Sequence, residues 1–311
     1  MTTAPATPPF ELVSRPCPVC GATDSRPFAP SNVDPAALGA FAFASRKLPE
    51  YMHFALVTCP TCDLLYTNPA PAPGSLEALY RDAAFDASDE SHLASLTYGR
   101  QVDRIASRLP DREGALDIGT GDGSFLRELL ARGFTGVAGV EPSVAPVELA
   151  PPQIRALIRN TSFRVSDFTP RSMALVTLFQ TIEHVPDPLS ICRDARALLK
   201  PGGAFLLVAH NRRALSARVL GLKSPIFDVE HLQLYSPQSL RAMLERAGFP
   251  PARIEVRPLV NRYPLQYWAR LFPLPKPIKP GALALLRKTS LGRLPLAAPV
   301  GNLVAVAVAP P

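Results

Sequence analysis

Acidic side chains are missing from the end of this chain of 311 residues. Residues 256–311 contain eight Lys or Arg and no Asp or Glu, whereas the whole chain has a net charge of +7. The excess of positive charge is therefore local, and the rest of the chain is close to neutral. A sequence pI of about 9.4 would otherwise suggest nucleic-acid binding, but a local excess needs a local explanation.

Long apolar segments and targeting signals are also absent. The sequence has no run of 18 or more apolar residues, so it predicts no membrane-spanning helix. Residues 1–10 have neither a basic segment nor an apolar core, and we interpret them as a flexible tail, not as a signal peptide. With 47% hydrophobic and 19% charged residues, the composition is that of a folded globular chain. We expect a soluble, cytoplasmic protein.

Cysteine is scarce but is placed in pairs. Four of the five cysteines form two C-P-x-C motifs, which contain Cys17 with Cys20 and Cys59 with Cys62. Two such motifs provide the four thiolates that a tetrahedral Zn²⁺ requires, and four ligands leave no open position for water. The motifs therefore predict a structural zinc site. Two disulfides are the alternative, which an oxidising compartment would favour.

The most informative segment is residues 115–130, ALDIGTGDGSFLRELL. An apolar strand runs into a turn that contains Gly119, Gly121 and Gly123, and a helix follows whose apolar face begins at Phe125. Glycines in such a turn let the backbone bend sharply and let a ligand approach the main chain closely. The segment therefore predicts a cofactor site at the end of the strand.

Two acidic residues indicate which cofactor this is. The glycine spacing is G-x-G-x-G in place of the dinucleotide pattern G-x-G-x-x-G, and Asp117 stands at the end of the strand. A carboxylate there would repel a pyrophosphate, whereas the sulfonium and amino groups of S-adenosylmethionine (SAM) tolerate or favour one. Residues 136–140 predict the next strand, which ends in Glu141. An acid at that position can accept hydrogen bonds from both ribose hydroxyls.

These segments resemble the class I SAM-dependent methyltransferases over about residues 98–311. The resemblance is carried by LDIGTGDG, VEPS, LVTLFQTIEHVPDP and LLKPGGAFLLVAHN. It implies a Rossmann-like α/β sheet with an antiparallel last strand, SAM as the cofactor, and contact of Phe179 and Gln180 with the methionine part of SAM. With the paired cysteine motifs and DVEHLQLYS, the chain also resembles the zinc-knuckle methyltransferases associated with bacterial glycan and secondary-metabolite pathways.

The adenine side of the predicted cofactor site is less regular. Asp167 and Phe168 are the candidates for contact with adenine, with the Asp accepting a hydrogen bond from the exocyclic amine; a solvated loop Asp is the alternative. The chain departs from the family pattern in two places. Ala174 stands where the family usually has Asp, and prolines interrupt residues 144–164, where a regular helix is expected.

Three of the five histidines, His184, His210 and His231, follow predicted strands or lie in a later loop. In open α/β sheets the ligand lies outside the carboxyl ends of the strands, where these residues are expected. Methyl transfer from SAM is an SN2 displacement, and an oxygen or nitrogen nucleophile must lose a proton, for which histidine is suited. The three are therefore candidate catalytic residues. The alternative is that each is a structural histidine bonded to the backbone.

The remaining elements are predicted from helix signals and alternation. Ser236 and Pro237 predict the start of a helix that ends near Gly248. Residues 252–260 and 302–309 predict two strands, of which the second is the antiparallel last strand.

A basic insertion rich in proline and aromatic residues lies between those strands, at residues 262–301. One interpretation is a partly helical cap whose aromatic side chains complete the core. The others are a lid over an amphiphilic anionic substrate or, through residues 262–293, a peripheral contact with an anionic membrane.

Four parts of the chain are predicted: a flexible tail at 1–10, a zinc-ribbon-like module at 11–70, a linker or helical cap at 71–97, and a methyltransferase domain at 98–311. The first functional hypothesis is SAM-dependent methylation of a small-molecule, glycan or lipid-linked acceptor. The second is an RNA or DNA methyltransferase, although the knuckle segment has few basic residues and the basic tail matches no nucleic-acid module. The third is a non-catalytic SAM-binding scaffold.

Overall fold

The computed structural model describes residues 11–38, 50–81, 83, 85, 88–271, 279–299 and 301–311 of the chain. Its strands are β1 (Leu12–Val13), β2 (Arg26–Ala29), β3 (Leu56–Thr58), β4 (Leu65–Thr67), β5 (Ala70–Pro71), β6 (Glu113–Ile118), β7 (Thr135–Val140), β8 (Ile158–Arg159), β9 (Met173–Phe179), β10 (Leu199–His210), β11 (Gln233–Leu234), β12 (Ile254–Pro258), β13 (Asn261–Pro264), β14 (Pro295–Ala298) and β15 (Asn302–Val308). Its α-helices are α1 (Pro73–Arg81), α2 (Ser88–Ile105), α3 (Ser124–Ala131), α4 (Val144–Leu149), α5 (Pro152–Arg155), α6 (Pro188–Leu198), α7 (Leu215–Leu220), α8 (Pro237–Arg246), α9 (Leu265–Leu271) and α10 (Lys279–Lys288).

Seven strands form the central sheet, in the order β12-β15-β10-β9-β6-β7-β8. The strands from β10 to β8 are parallel, whereas β15 is antiparallel to both of its neighbours, β10 and β12. The last strand of the chain is therefore the antiparallel one, which confirms the predicted Rossmann-like α/β fold. Parallel strands bring their carboxyl ends to one edge, where the glycine-rich turn follows β6, Glu141 follows β7, Gln180 follows β9 and His210 ends β10.

The middle strands are apolar because helices cover both faces of the sheet. All seven residues of β9 are buried. Leu116 and Val176 belong to the core on one face, which α6 and α8 complete, and Ala115 and Leu175 belong to the core on the other face, which α2 and α3 complete. Side chains that alternate along a strand thus fill two cores, one on each face of the sheet. The carboxyl ends of the strands are left for the candidate site.

Local signals explain where the helices begin and end. The hydroxyl of Ser236 accepts a hydrogen bond from the backbone N–H of Ser239 at 3.2 Å, and the hydroxyl of Ser239 accepts one from the N–H of Ser236 at 2.8 Å. This capping box starts α8 with Pro237 as its first residue, as predicted. Residues 144–164 do not form one regular helix. This proline-containing segment forms the short helices α4 and α5 and the short strand β8.

The cysteine motifs lie beside a second sheet, in the order β11-β4-β3-β2. Three of its strands come from the N-terminal part, and the fourth, β11, comes from residues 233–234 and pairs antiparallel with β4. Before β3, which begins at Leu56, the backbone N–H of His53 donates a hydrogen bond to Asn32 Oδ1 at 2.6 Å. The sheet therefore joins the N-terminal part of the chain to a segment that follows β10.

The basic insertion predicted at residues 262–301 lies partly outside the described residues, which omit 272–278 and 300. In its described part, β13 pairs with β14, and the rings of Tyr263, Tyr267 and Trp268 form a cluster with centroids 4.5 to 6.4 Å apart. Among the described residues, no helix has both the length and the apolar character needed to cross a membrane.

Candidate active site

The glycine-rich turn connects β6 to α3 at the carboxyl edge of the sheet. Gly119, Gly121 and Gly123 have φ angles of 76°, 58° and 70°, in the left-handed region that favours glycine. A Cβ atom on Gly119 would meet Thr181 Oγ1 at 2.3 Å, whereas a Cβ atom on Gly121 would meet nothing within 4 Å. Gly119 is thus required by close packing against the loop after β9, and Gly121 borders open space in which a ligand can approach the backbone.

Glu141 is attached to this turn through its carboxylate. Oε2 accepts a hydrogen bond from the backbone N–H of Gly121 at 2.8 Å, and Oε1 accepts one from the N–H of Ser143 at 2.9 Å. Burial raises the pKa of Glu141 above its usual value, although both hydrogen bonds act in the opposite direction. A carboxylate has about four acceptor positions, so both oxygens retain capacity for donors on a ligand.

Asp117 is buried near the end of β6, the strand that pairs with β7. Its Oδ1 accepts a hydrogen bond from the hydroxyl of Thr177 at 2.6 Å. The two residues are cross-strand partners in the parallel pair of β6 and β9. The register of the sheet therefore sets the orientation of the Asp117 carboxylate beneath the glycine-rich turn.

Phe179 and Gln180 follow at the end of β9. The ring of Phe179 stacks on Tyr98 with a centroid distance of 4.2 Å and meets the edge of Phe125 at 4.8 Å. Gln180 has a φ of 50°, its N–H donates to Val208 O at 2.8 Å, and its Oε1 accepts from the hydroxyl of Tyr98 at 2.6 Å. Helix α2 thus covers the loop after β9 through Tyr98.

Asp167 and Phe168 lie between β8 and β9. Asp167 is exposed at the end of the 3₁₀ helix Val165–Asp167, and its carbonyl oxygen accepts a hydrogen bond from Arg159 Nη1 at 2.7 Å. Phe168 is buried beneath the guanidinium of Arg159, which lies 4.5 Å from the ring centroid. Their contact with adenine stays a prediction.

The three candidate histidines form one cluster, although they come from three separate loops. The ring centroids of His184 and His231 are 5.0 Å apart, and those of His231 and His210 are 4.8 Å apart. His184 follows β9, His210 ends β10, and His231 lies between α7 and β11. The fold therefore brings together the residues that the sequence separates.

Each imidazole in the cluster has its Nδ1 next to a carbonyl oxygen. The Nδ1 atoms of His184, His231 and His210 lie 3.1 Å from Glu230 O, 2.9 Å from Ile226 O and 2.9 Å from Asn302 Oδ1, respectively. A carbonyl oxygen can only accept a hydrogen bond, so these contacts favour the tautomer with the proton on Nδ1. In the neutral imidazole the lone pair is then on Nε2, which is the atom that can accept a proton from a ligand.

Tyr80 joins this cluster to the cofactor side. Its carbonyl oxygen accepts a hydrogen bond from the hydroxyl of Ser143 at 2.7 Å, and its own hydroxyl donates to Glu230 O at 2.8 Å and lies 3.2 Å from His184 Nδ1. Burial, helped by nearby carboxylates, raises the pKa of Tyr80 well above its usual value. The hydroxyl of Tyr80 therefore stays protonated and remains a donor.

Glu183 is a buried carboxylate behind the histidines. Its Oε1 accepts a hydrogen bond from the backbone N–H of His210, whereas its Oε2 has no hydrogen-bond partner among the described residues. Burial raises the pKa of Glu183 above its usual value, and the proximity of His210 lowers it by a smaller amount.

The four cysteines of the two motifs are close enough to share one metal ion. Their Sγ atoms all lie within 4.8 Å of one another, with Cys17 at 3.5 Å from Cys62 and Cys20 at 3.4 Å from Cys59. Four sulfurs bound to zinc at about 2.3 Å would be roughly 3.8 Å apart in a tetrahedron, so the donor set fits Zn²⁺. A disulfide needs about 2.05 Å, which these separations exceed.

The two cysteine motifs fold as matching turns. The residue after each motif has a left-handed backbone, with φ of 75° at Gly21 and 62° at Asp63. The N–H of each of these residues donates to the carbonyl oxygen of the first cysteine of its motif, at 2.8 Å and 3.0 Å. Asp63 also pairs with Arg213, whose Nε lies 3.0 Å from Oδ2, and this ion pair attaches the second motif to the loop after β10.

Comparison with known protein families decides the identity of the chain. A family described as "Methyltransferase domain" matches residues 91–252, slightly more than half of the chain. The chain belongs to this methyltransferase family. By family and by fold it is a class I SAM-dependent methyltransferase, as the sequence motifs predicted.

Curated relatives share part of this methyltransferase. The chain is 33% identical to the ubiquinone biosynthesis O-methyltransferase of Histophilus somni over 142 residues, which are 42% of this chain and 59% of that protein. It is 28% identical to the protein of the same name from Ralstonia nicotianae over 186 residues, 54% of this chain and 77% of that protein. The chain thus spans less than two thirds of the Histophilus somni relative.

Solved methyltransferases of low sequence identity are among the structures similar to this chain. A SAM-dependent methyltransferase from Archaeoglobus fulgidus is 15% identical, with a TM-score of 0.46 over 69% of this chain and 94% of that one. The phosphoethanolamine N-methyltransferase 2 of Haemonchus contortus in complex with SAM is 18% identical, with a TM-score of 0.44 over 79% of this chain and 63% of that one.

Three polar residues of this methyltransferase site were not identified from its sequence. Tyr80 and Tyr98 lie on α1 and α2, in or next to the segment interpreted as a linker or helical cap, and Arg15 precedes the first cysteine motif. Arg15 donates hydrogen bonds to the loops of His184 and His231. No local spacing marks these residues, because each acts on a loop that is distant in the sequence.

Proposed function

We propose that this methyltransferase transfers a methyl group from SAM to a hydroxyl oxygen of a small-molecule acceptor, with an imidazole of the histidine cluster as the general base. The proposal depends on one observation, the environment that the three clustered rings share. His184, His210 and His231 each have Nδ1 within hydrogen-bonding distance of a carbonyl oxygen. In that tautomer the basic lone pair of each ring is on Nε2, and Nε2 of His231 also lies 3.8 Å from Glu230 Oε1.

The residues of the cofactor side fit SAM. Gly121 borders open space, so a ligand can lie against the backbone of the turn. The buried carboxylates of Glu141 and Asp117 are suited to accept hydrogen bonds from ribose hydroxyls and from the amino group of the cofactor. Phe179 and Gln180 line the methionine side in this proposal, and Asp167 with Phe168 the adenine side. When bound, SAM supplies an electrophilic methyl group on a sulfonium.

The protein residues then have a simple task. They hold the acceptor oxygen in line with the methyl carbon and the sulfur, which is the main contribution a protein makes to an SN2 reaction. The oxygen–carbon bond forms as the carbon–sulfur bond breaks, and S-adenosylhomocysteine leaves. The hydroxyl proton passes to an imidazole Nε2, while Nδ1 keeps its hydrogen bond to the backbone or to Asn302.

The preference for oxygen over nitrogen is supported by the curated relatives, which are named O-methyltransferases. A hydroxyl acceptor also needs a base more than a neutral amine does, because the amine attacks with its own lone pair. Three clustered imidazoles are therefore more useful to a hydroxyl acceptor than to an amine.

Calorimetric titration with S-adenosylhomocysteine, with NAD⁺ in parallel, tests the cofactor. We expect micromolar binding of the first and none of the second. Glu141→Gln should weaken binding about 10- to 100-fold, because a hydrogen bond to a charged group contributes about 1.5–3 kcal/mol. Glu148→Gln, on the exposed side of α4, is the matched control and should bind normally. Equal binding by both variants would overturn the role of Glu141, and no binding of S-adenosylhomocysteine by the unchanged protein would overturn the cofactor assignment.

An acceptor screen tests the reaction. The purified protein is incubated with SAM and with matched hydroxyl, amine and RNA acceptors, including glycan and lipid-linked hydroxyls, and release of S-adenosylhomocysteine is measured. The proposal predicts turnover with hydroxyl acceptors and little with their amine analogues. Binding of S-adenosylhomocysteine without turnover of any acceptor would support a non-catalytic scaffold, and turnover of RNA alone would support the nucleic-acid alternative.

Two further assignments belong to this proposal. Zinc in the cysteine cluster has a structural role, because four thiolates complete its tetrahedral shell.

The basic segment 262–293 contacts anionic membrane surfaces; its exposed leucines include Leu285 and Leu291. Flotation with anionic and with uncharged vesicles tests the second assignment, which requires binding to the anionic vesicles only.

A further inference from the structure

The guanidinium of Arg15 reaches the two loops that carry His184 and His231. Nη1 donates a hydrogen bond to Pro186 O at 3.3 Å, and Nη2 donates to Leu232 O at 2.9 Å. Pro186 is two residues after His184, and Leu232 directly follows His231. A single side chain from the N-terminal module therefore bonds to both histidine loops.

The same guanidinium is held by the end of β4. Nε donates to Thr67 O, and Nη2 donates to Thr67 Oγ1, each at 3.1 Å, so all three nitrogens of the group take part. The planar group presents five N–H donors in a fixed arrangement, which is why it can connect three segments at once. The ammonium of a lysine at this position would reach only one or two of them.

Gln233 completes the connection between the loops. It is fully buried, its Oε1 lies 3.3 Å from Arg15 Nη2, and its Nε2 lies 2.7 Å from both Ile182 O and Val185 O. The residues on either side of Glu183 and His184 are thus bonded to a side chain that lies two positions after His231.

Backbone hydrogen bonds align the same loops. The N–H of Leu232 donates to Glu183 O, and the N–H of Thr67 donates to Leu232 O, each at 2.9 Å. Strand β11 then pairs with β4, with Gln233 opposite Tyr66. The cysteine-bearing sheet, Arg15 and both histidine loops consequently form one hydrogen-bonded unit.

We infer that Arg15, together with Gln233, is a positioning residue that sets the separation of the His184 and His231 imidazoles by bonding to the backbone on both sides of them. Neither Arg15 nor Gln233 is hydrogen-bonded to an imidazole, so their effect on the reaction is indirect. The inference rests on the proposed function only in assigning these histidines to the acceptor; the geometry of the cluster can be tested without any acceptor.

Nuclear magnetic resonance of protein labelled in its histidine rings tests the geometry directly. Arg15→Lys and Arg15→Met are compared with Arg26→Met, a matched control at an exposed position in β2 of the same sheet. We expect the ring signals of His184 and His231 to shift in both Arg15 variants, whereas the signal of the exposed His92 stays unchanged. Unshifted His184 and His231 signals in a folded Arg15→Met protein would overturn the inference.

Kinetics with an acceptor from the screen separates positioning from general stability. The Arg15→Lys variant should bind S-adenosylhomocysteine normally and lose about 10- to 100-fold in kcat, since a displacement of about 1 Å can cost this much. Its KM for the acceptor should change by less than about threefold, because the acceptor still binds the same surface. A loss confined to thermal stability, with unchanged kcat, would also contradict the inference.

Gln233→Glu is the second variant, in case Arg15→Met does not fold. It keeps an acceptor for Arg15 and removes the donors to Ile182 O and Val185 O. It should shift the His184 signal and lower kcat as Arg15→Lys does, and the double variant should be no worse than the worse single one. Additive losses would mean that the two residues act separately. If no acceptor is found, the ring signals still decide the inference.

Discussion

The proposed cofactor side and the proposed acceptor side of this methyltransferase are held by contacts of very different range. On the cofactor side, Gly121 and its partner Glu141 are 20 residues apart in the sequence. On the acceptor side, Arg15 and its partner Leu232 are 217 residues apart. The cofactor side is therefore a property of one strand–turn–helix–strand unit, whereas the acceptor side depends on the N-terminal part of the chain together with loops near Pro186 and Leu232.

The difference has a mechanical consequence. The glycine-rich turn is built from the central sheet, and its backbone hydrogen bonds run to β7. The histidine loops are bonded to the cysteine-bearing sheet as well as to the central sheet. Damage to the N-terminal module should thus reach the acceptor side first and leave the cofactor side largely intact.

Loss of one cysteine should have the largest effect and should separate the acceptor side from the cofactor side most clearly. Cys59→Ser removes one of four thiolates, and because zinc binding in small modules supplies about 10–16 kcal/mol of folding energy, the cysteine turns should unfold. We expect loss of zinc by elemental analysis and no measurable turnover. Binding of S-adenosylhomocysteine should weaken by less than about tenfold, since the glycine-rich turn packs on the central sheet.

The matched control is Cys192→Ala, a buried cysteine in α6 outside the cluster. It should keep one zinc per chain and its activity, at reduced thermal stability. If Cys59→Ser abolishes binding of S-adenosylhomocysteine as completely as it abolishes turnover, the two sides are not separable and the comparison fails.

Substitution of the middle histidine should produce the next largest effect. His231 is within 5.0 Å of His184 and 4.8 Å of His210, measured between ring centroids, so His231→Gln disturbs the whole cluster. General base catalysis contributes about 10²–10⁴-fold, and we expect kcat to fall within that range. His92→Gln, on the exposed face of α2, should leave kcat unchanged.

Calorimetry on the same proteins sharpens the comparison. The affinity for S-adenosylhomocysteine should be equal in His231→Gln, His92→Gln and the unchanged protein. A His231→Gln variant with full activity would show that these histidines are structural, the alternative that the sequence left open.

The sequence predicted the cofactor side well because its signals are local. Strand, glycine-rich turn, helix and Glu141 follow one another within about 30 residues, and each step has a recognisable composition. The three histidines were identified as candidates because strand ends meet at one edge of a parallel sheet. His184 and His210 follow or end paired parallel strands, so their approach could be expected from topology, whereas His231 joins them through tertiary packing.

The supports of the acceptor side could not be predicted in the same way. Arg15 looks like an ordinary charged residue before a cysteine motif, and nothing in its neighbourhood indicates Pro186 or Leu232 as partners. Likewise, β11 has only two residues, which are too few to show a strand pattern. It joins a sheet whose other strands, β2 to β4, come from the N-terminal part of the chain. Pairings of this kind are set by tertiary packing.

Alanine substitutions at two glycines, Gly121 and Gly202, test how closely the cofactor approaches the backbone. Gly121 and Gly202 have φ angles of 58° and 75°, and a Cβ atom on either would meet nothing within 4 Å. Alanine should therefore cost similar stability at both positions, roughly 1–2 kcal/mol, from the left-handed backbone alone. Only Gly121→Ala should also weaken binding of S-adenosylhomocysteine, by about tenfold in calorimetry. Equal affinities would mean that the cofactor does not contact this turn.

The smallest expected effect concerns Glu183, which lies behind the acceptor side and whose pKa burial raises. Because the folded protein binds this proton more tightly than the unfolded chain, stability falls as the pH rises from the usual carboxyl pKa through the folded value. Glu183→Gln removes this penalty and still accepts the hydrogen bond from the N–H of His210. We expect its melting temperature to exceed that of the unchanged protein by about 2–4 °C at pH 7 and to match it near pH 4. A difference that grew towards acid pH would mean that the Glu183 carboxylate is stabilised by the fold, so that its pKa is lowered and not raised.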